Sequence, residues 1–575
     1  MSTQSGNDRS NSDIEAAEDR RPNQQTELGR DLGLTLTTIR SAAVSATTLD
    51  TSDLSGHPNE KTLTGDTSPS SPFSKYVPST QSGSGAPSIS AASSPPSKEI
   101  AGSAAGFSKL HEIAFIANVC FAQLFCLAAL AQTVAPLPII AAYFNNENPG
   151  QMSWYTASFS LTVGTFILPA GRLGDMYGHK RVFQLGWAWF ALWSLVAGFS
   201  HSSVMLSACR ALQGIGPALL VPNAMALVGR TFPMGMKRNI VFSLFGAAGP
   251  TGFVLGAVFS SICAQLGSEV LPPVGWAWSF WFLALVCMVL CLATYFIIPD
   301  EPQSTPSTFS QPPTFDFLGC FTGVSGLILV NFAWNQAPLV GWSQPYIYSL
   351  LIVGLISLAG FLYVELHVAT HPLVPLRGLQ KEAGFTLACI AAGWGSHGIW
   401  IYYLYLFLEQ LRGHTALSAC AQTFPVAITG TCAALSVGFL LKKIKVAYVM
   451  MLAMIFFTVG TLLIATAPVS QTYWAQTFLS VILMPGGMNL SFPAGTILLS
   501  NALPREHQGI AASLISTMVN YSISTGLGIA GTIERNVNPN GDDLITGFRG
   551  GWYFGIGLSG LGLLISMWFV YKSRT

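Results

Sequence analysis

From residue 113 onward the chain is written in long apolar runs. Fourteen stretches of about 20 residues recur, each long enough to cross roughly 30 Å of hydrocarbon as a helix. They lie near 113–134, 153–173, 181–200, 204–228, 240–264, 276–298, 317–336, 346–366, 384–407, 418–441, 446–466, 474–499, 509–531 and 551–571. Residues 1–108 read differently. They are rich in Ser, Thr, Pro, Gly and Asp, with stretches such as SPSSPFS (68–74) and SSPPS (93–97). A segment of that kind has nothing with which to bury a core. It is expected to be a disordered cytoplasmic Ser/Pro-rich tail over 1–109, and the late first apolar run argues against a signal peptide. The pattern predicts an all-α polytopic membrane protein of fourteen transmembrane helices.

Charge sharpens that picture. Half of the 575 residues are hydrophobic and only 9% are charged, against about 25% in soluble proteins. The tail to residue 109 holds 21 charged residues, whereas 110–575 holds 32 in 466. A soluble globule that size could not cover its surface with so few charges, so a soluble multidomain enzyme is excluded. A net charge of +1 gives no case for nucleic-acid binding. The ten cysteines all fall within apolar runs without metal-ligand spacing, and read as small core residues. No catalytic set, metal site or cofactor motif stands out.

The positive-inside rule tests the count. With the N-terminus in the cytoplasm, fourteen Lys and Arg of the body sort to the inner loops, among them Arg172, Lys180, Arg181, Arg230, Lys237, Arg238, Lys442 and Lys443. Three, Arg412, Arg535 and Arg549, sort to the outer side. A missed or invented helix would scramble this sorting downstream. Both termini are therefore expected in the cytoplasm.

The loop after span 2 reads GRLGDMYGHKR (171–181). Gly171 and Gly174 allow close helix contact. Asp175 can face the positive N-terminus of another helix, and Gly178, Lys180 and Arg181 complete the turn and its charges. Such a cluster could latch an inner gate in one state and release it in another; the plainer alternative is a basic loop that fixes topology. Here the chain resembles the major facilitator superfamily, since the loop is similar to that family's motif A. LSACRALQGIG (206–216) is similar to the next motif, with Arg210, Gln213, Gly214 and Gly216 in register. Gly249-Pro250 matches the centre of the motif associated with antiporters. Fourteen helices point to the drug:proton antiporter branch. Within it the texture of 246–261 and 513–531 is similar to a fungal group of aminotriazole-resistance, boron-efflux and low-affinity ammonium transporters.

The resemblance implies a major-facilitator fold: a six-helix bundle over 110–298, two inserted helices over 299–370 and a second six-helix bundle over 371–575. It implies a monomeric plasma-membrane carrier of a small molecule, with protons as the coupling ion. Two departures stand out. Ala131 occupies the place of an acid carried by many members of the branch, and Phe253 and Val254 replace two glycines of the antiporter motif. Gly252 and Gly256 still fall near the helix face of Gly249, so a thin packing seam is expected.

Without any family, the embedded polar residues are few. Arg210 lies within span 4, at about 2.5–3.5 kcal/mol on insertion scales if central. It either snorkels or binds the backbone carbonyls of span 1, or it serves coupling or substrate. His397 lies mid-span in GSHG (395–398) and is either satisfied by a neighbouring carbonyl or a proton or substrate site. Gln123 and Gln132 are nine positions apart and face opposite ways; Gln132 is the one expected to line a cavity. Asn489 divides between interhelical glue and pore lining. Weak repetition between the halves predicts a cavity lined by spans 1, 4, 9 and 12 with parts of 2, 5, 10 and 13. No Walker loop is present, so energy must come from a gradient. The resemblance implies secondary active export of a small toxic compound or metabolite, with low-affinity or facilitated movement of a small inorganic solute such as ammonium or borate as the alternative.

Overall fold

The computed structural model describes residues 107–146, 148–233, 235–267, 274–299, 315–503 and 510–572. The Ser/Pro-rich tail to residue 106, Arg505 and Arg574 lie outside the described residues. Among the described residues sixteen α-helices follow one another: α1 (Lys109–Ala131), α2 (Leu137–Tyr143), α3 (Pro149–Tyr177), α4 (His179–Ala197), α5 (Ser203–Thr231), α6 (Met236–Gln265), α7 (Ala277–Ile297) and α8 (Phe317–Val340). Then come α9 (Pro345–Tyr363), α10 (Lys381–Leu406), α11 (Ala416–Thr423), α12 (Pro425–Lys443), α13 (Val446–Ala465), α14 (Gln476–Asn501), α15 (Ile510–Val537) and α16 (Leu544–Lys572).

Fourteen of these segments correspond to the fourteen apolar runs, once α11 and α12 are joined and the short α2 is set aside. Pro425 separates α11 from α12, because it supplies no amide hydrogen and its ring crowds the preceding turn. Ten of the fourteen are long and apolar enough to span a membrane by length and composition alone. The other four are α3, α4, α10 and α15. Lys180 and Arg181 open α4, while α3 and α15 carry buried hydroxyls such as Ser160, Thr165 and Ser524. These helices face protein more than lipid, so they need not be uniformly apolar. By contrast α7 and α9 present Leu285, Met288, Leu292, Ile352 and Ile356 outward, all more than half exposed. In water such a belt would aggregate; in a bilayer it is the lipid contact.

Several helices outrun the apolar segments that predict them. The helix of span 13 continues six residues past 531, to Val537. Hydrophobicity marks only the part inside hydrocarbon, whereas backbone hydrogen bonding continues into the interface. The reverse holds for α1, which stops at Ala131 with Gln132 as its C-cap. Pro136 follows at the N-cap of α2, and Pro138 sits in the first turn of α2, where the missing amide hydrogen is tolerated.

Lys237 Nζ meets Glu112 Oε2 at 2.7 Å, and Arg172, Arg230 and Arg238 line one hollow with His371 and Ser500. The basic loops thus gather at one end of the helices, called here the basic end. A glycine seam sets close packing in the first bundle. A Cβ at Gly252 or Gly256 would collide with Leu124 or Ala128 of α1, and Gly249 looks toward Gln123 across the same seam. Pro250 points the other way, where a Cβ on Gly430 of α12 would come within 2.7 Å of its ring. The inserted helices α8 and α9 pack on each other and, through α8, on α3 and α15. Asn335 Nδ2 donates to Ser524 O at 3.1 Å, and Ser524 Oγ donates to Ala157 O of α3 at 2.9 Å.

Candidate functional site

A cavity of about 290 Å³ lies among the long helices. Its wall draws on α1, α3, α5, α6, α10, α12, α14 and α15. These are the eight helices that the pseudo-repeat singles out. Among the described residues no Asp, Glu, Lys or Arg is in the wall; its polar side chains are Gln123, Ser243, His397, Asn489, Ser516 and Asn520. The rest is aromatic and aliphatic, including Trp394 and Trp400.

Val221, Phe242 and Ser516 are shared with a larger vestibule of about 760 Å³ at the basic end. The cavity therefore continues toward that end. The opposite end is closed. Tyr155, Tyr402, Tyr403 and Tyr405 are buried there. Ser261 of α6 meets Cys420 of α11 at 3.3 Å, and the Leu417 amide donates to Gln265 Oε1. On the other flank a Cβ at Gly150 of α3 would press on the backbone of Leu339 in α8.

The Gly171–Arg181 segment borders the vestibule and is not the expected loop: it is the end of α3 and the start of α4, parted by Gly178 alone. Gly178 ends α3 at φ +92°, a conformation that favours glycine. Gly174 is tight: a Cβ there would collide with Asn223 Oδ1. Asn223 is fully buried, pairs with His179 Nδ1 at 2.7 Å and donates back to Leu219 O at 2.7 Å. Gly171 faces Ser513 of α15. Asp175 is half exposed, 3.4 Å from His179 Nε2 and 3.7 Å from Arg230. It shares the vestibule wall with Ile510 and Ser513 at the described start of α15. Lys180 is buried, with its ammonium 5.7 Å from the centre of the Tyr295 ring, while Arg181 is exposed.

Arg210 does not reach the cavity. It is fully buried and held by Tyr155 O at 3.0 Å, Gln213 Oε1 at 2.6 Å and Thr133 Oγ1 at 3.5 Å. Its guanidinium lies 4.3 Å from the centre of Phe159. Gln213 in turn donates to Ser194 Oγ of α4 at 2.7 Å. The expected carbonyl partner exists, but on α3 rather than span 1, and snorkelling is excluded by the burial. Arg210 and Gln213 thus join α5 to α3, α4 and the turn after α1.

Gln132 is corrected by the structure. As the C-cap of α1 it donates to Ser279 O of α7 at 2.9 Å and lies outside the cavity wall. The two glutamines do face opposite ways, and Gln123 is the one in the wall. Only the tertiary rotation of α1 decides between them. His397 and Asn489 are both in the wall. The expected carbonyl partner for His397 is absent: Nδ1 is buried with no hydrogen bond. The ring is held by aromatic contacts instead, stacked on Trp400 at 5.7 Å and edge-on to Trp394 at 5.5 Å.

One buried acid escapes sequence reasoning. Glu534 lies on α15 beyond the apolar run, is 8% exposed and accepts from Tyr403 OH at 2.8 Å. Its signal was weak, because an acid past the end of an apolar stretch reads as a loop residue. Glu365, by contrast, caps the loop that follows α9, accepting from the amides of Leu373 and Val374.

The model of the Major Facilitator Superfamily matches residues 119–529. The chain is 54% identical over 470 residues to the low affinity ammonium transporter of Saccharomyces cerevisiae, covering 81% of this chain and 90% of that protein. It is 46% identical over 464 residues to the efflux pump terJ of Aspergillus terreus, covering 80% and 88%. Among solved structures, a POT family transporter in complex with 5-aminolevulinic acid aligns with a TM-score of 0.57 at 12% identity, covering 82% of this chain and 97% of that one.

Proposed function

The chain belongs to the major facilitator superfamily, and from that premise we propose that this transporter exports a small toxic compound or metabolite across the plasma membrane. The observation that carries the reading is the cavity: eight helices from both bundles enclose it, it runs on into the vestibule at one end, and packed tyrosines close the other. That is one state of an alternating-access carrier, in which two bundles rock about a midplane site.

The basic end is assigned to the cytoplasm by the distribution of Lys and Arg, so both termini are cytoplasmic and the cavity faces the cytoplasm. Asp175, with His179 and Arg230, forms the moving part of the inner gate against α15. Arg210 and Gln213 act as a scaffold for the first bundle, and Gln132 joins α1 to α7. In this reading the carrier works as a monomer. The coupling ion in this reading is the proton.

The uncharged wall bears on the solute. Moving a lone ion from water into such a medium costs several kcal/mol even after relaxation, and a desolvated cation–π contact returns only about 2 kcal/mol or somewhat more. Uncharged solutes are favoured. Similarity to a low affinity ammonium transporter supports a second reading, low-affinity passage of a small inorganic solute. Vesicles reconstituted with the purified chain test both. A solute panel under an imposed pH difference reads export and its proton dependence. Saturable counterflow of labelled against unlabelled solute identifies a carrier, and linear flux without counterflow would refute it.

A further inference from the structure

The polar atoms of the cavity wall are not arranged at random. Asn489 turns its Nδ2 back onto Pro485 O of its own helix at 3.0 Å, and Asn520 does the same to Ser516 O at 3.0 Å. Among the described residues neither amide oxygen Oδ1 has a hydrogen-bond partner. Both are in the wall, one on α14 and one on α15. The indole N–H groups of Trp394 and Trp400 are likewise spent on the wall itself, donating to Ser491 Oγ at 3.1 Å and Ser480 Oγ at 2.8 Å. Those two rings therefore offer faces and edges to the cavity rather than donors. Between them sits His397, 7% exposed, with Nδ1 buried and no hydrogen bond to either ring nitrogen.

Buried polar groups in a folded protein are ordinarily paired. Unpaired ones converging on a cavity are paired by what occupies it. Among the atoms left open are the two amide oxygens and a His397 ring nitrogen, acceptors set beside an aromatic wall, with the Gln123 amide and the Ser516 hydroxyl able to donate or accept. A carboxylate to hold a cation is absent from the lining, and so is a Lys or Arg to hold an anion. Charged groups are confined to the vestibule, where Arg172, Asp175, Arg230 and Arg238 stand. Resting on the transporter reading, we propose that the cavity selects an uncharged planar solute bearing N–H or O–H donors, its ring laid against Trp394 and Trp400 and its donors met by Asn489, Asn520 and His397. The volume of about 290 Å³ sits at the small end of ligand sites, which suits one or two fused rings.

The test uses the full chain in lipid nanodiscs, with empty nanodiscs as background, and equilibrium dialysis of four bicyclic probes. These are 2-naphthol, its methyl ether 2-methoxynaphthalene, the cation 1-methylquinolinium and the anion naphthalene-2-sulfonate. The wild-type chain should bind 2-naphthol saturably. The methyl ether, lacking one donor, should bind about tenfold more weakly, the equivalent of one net hydrogen bond, and both ions more weakly still. His397→Phe and Asn489→Leu keep the volume and remove the polar atoms. Each should weaken 2-naphthol while leaving the methyl ether unchanged, a selective loss that disturbed packing would not produce. The proposal is overturned if either ion binds as tightly as 2-naphthol, if the methyl ether does, if the variants weaken both neutral probes alike, or if folded wild-type chain shows no saturable 2-naphthol binding. Binding at equilibrium needs no flux. Absence of counterflow in vesicles would sink the carrier reading and leave this selectivity standing, and the converse also holds.

Discussion

Replacing Arg210 by Lys keeps the charge and removes the fork. The guanidinium reaches two acceptors in different directions, Tyr155 O at 3.0 Å and Gln213 Oε1 at 2.6 Å, while stacking on Phe159. A single ammonium on a flexible stem cannot reproduce that geometry. The contact to Thr133 at 3.5 Å is at the limit and adds little. One hydrogen bond to a charged group, worth about 2 kcal/mol, is lost with roughly 1 kcal/mol of ring contact. The expected destabilisation is about 3 kcal/mol, or roughly 6–12 °C in melting midpoint on the scaling for domains of 150–250 residues. Thermal melting followed by size-exclusion chromatography of the detergent-solubilised chain measures it, and transport should fall in parallel. An R210K chain that melts with the wild type while transport is lost would refute the scaffold argument and return Arg210 to solute handling.

Three further perturbations test other parts of the structure. Gly174→Ala should abolish well-folded chain, since its Cβ collides with Asn223; Gly174→Ala with Asn223→Ala should recover part of the monodisperse peak, and a wild-type profile for the single variant would count against the tight α3–α5 contact. Asp175→Asn should leave the melting midpoint nearly unchanged, because a half-exposed pair is worth about 0–1 kcal/mol, yet it should lower vesicle transport severalfold; full transport would remove Asp175 from the gate. Tyr403→Phe takes the donor from buried Glu534 and should cost about 1–3 kcal/mol. Adding Glu534→Gln should return part of that loss in a double-mutant cycle, whereas additive losses would mean the pair is uncoupled.

Much of this protein was legible in one dimension. The number of spanning helices follows from the length of each apolar run, because the bilayer sets that length segment by segment. The basic loops follow from charge in the links, and the Gly249–Gly252–Gly256 seam from spacing on a single helix. The set of eight cavity helices was also within reach, through the repetition between the halves. Side-chain roles were not. Gln123 and Gln132 have equal claims until the rotation of α1 against α6 and α7 is known. Arg210 looks like a buried charge near solute until Tyr155 and Gln213, 55 and 3 positions away, are seen to hold it. Glu534 looks like a loop residue until α15 is seen to run on beside Tyr403. Whether a polar group on a membrane helix meets lipid, a neighbouring helix or the cavity depends on helix rotation, and rotation is settled by contacts between segments hundreds of residues apart.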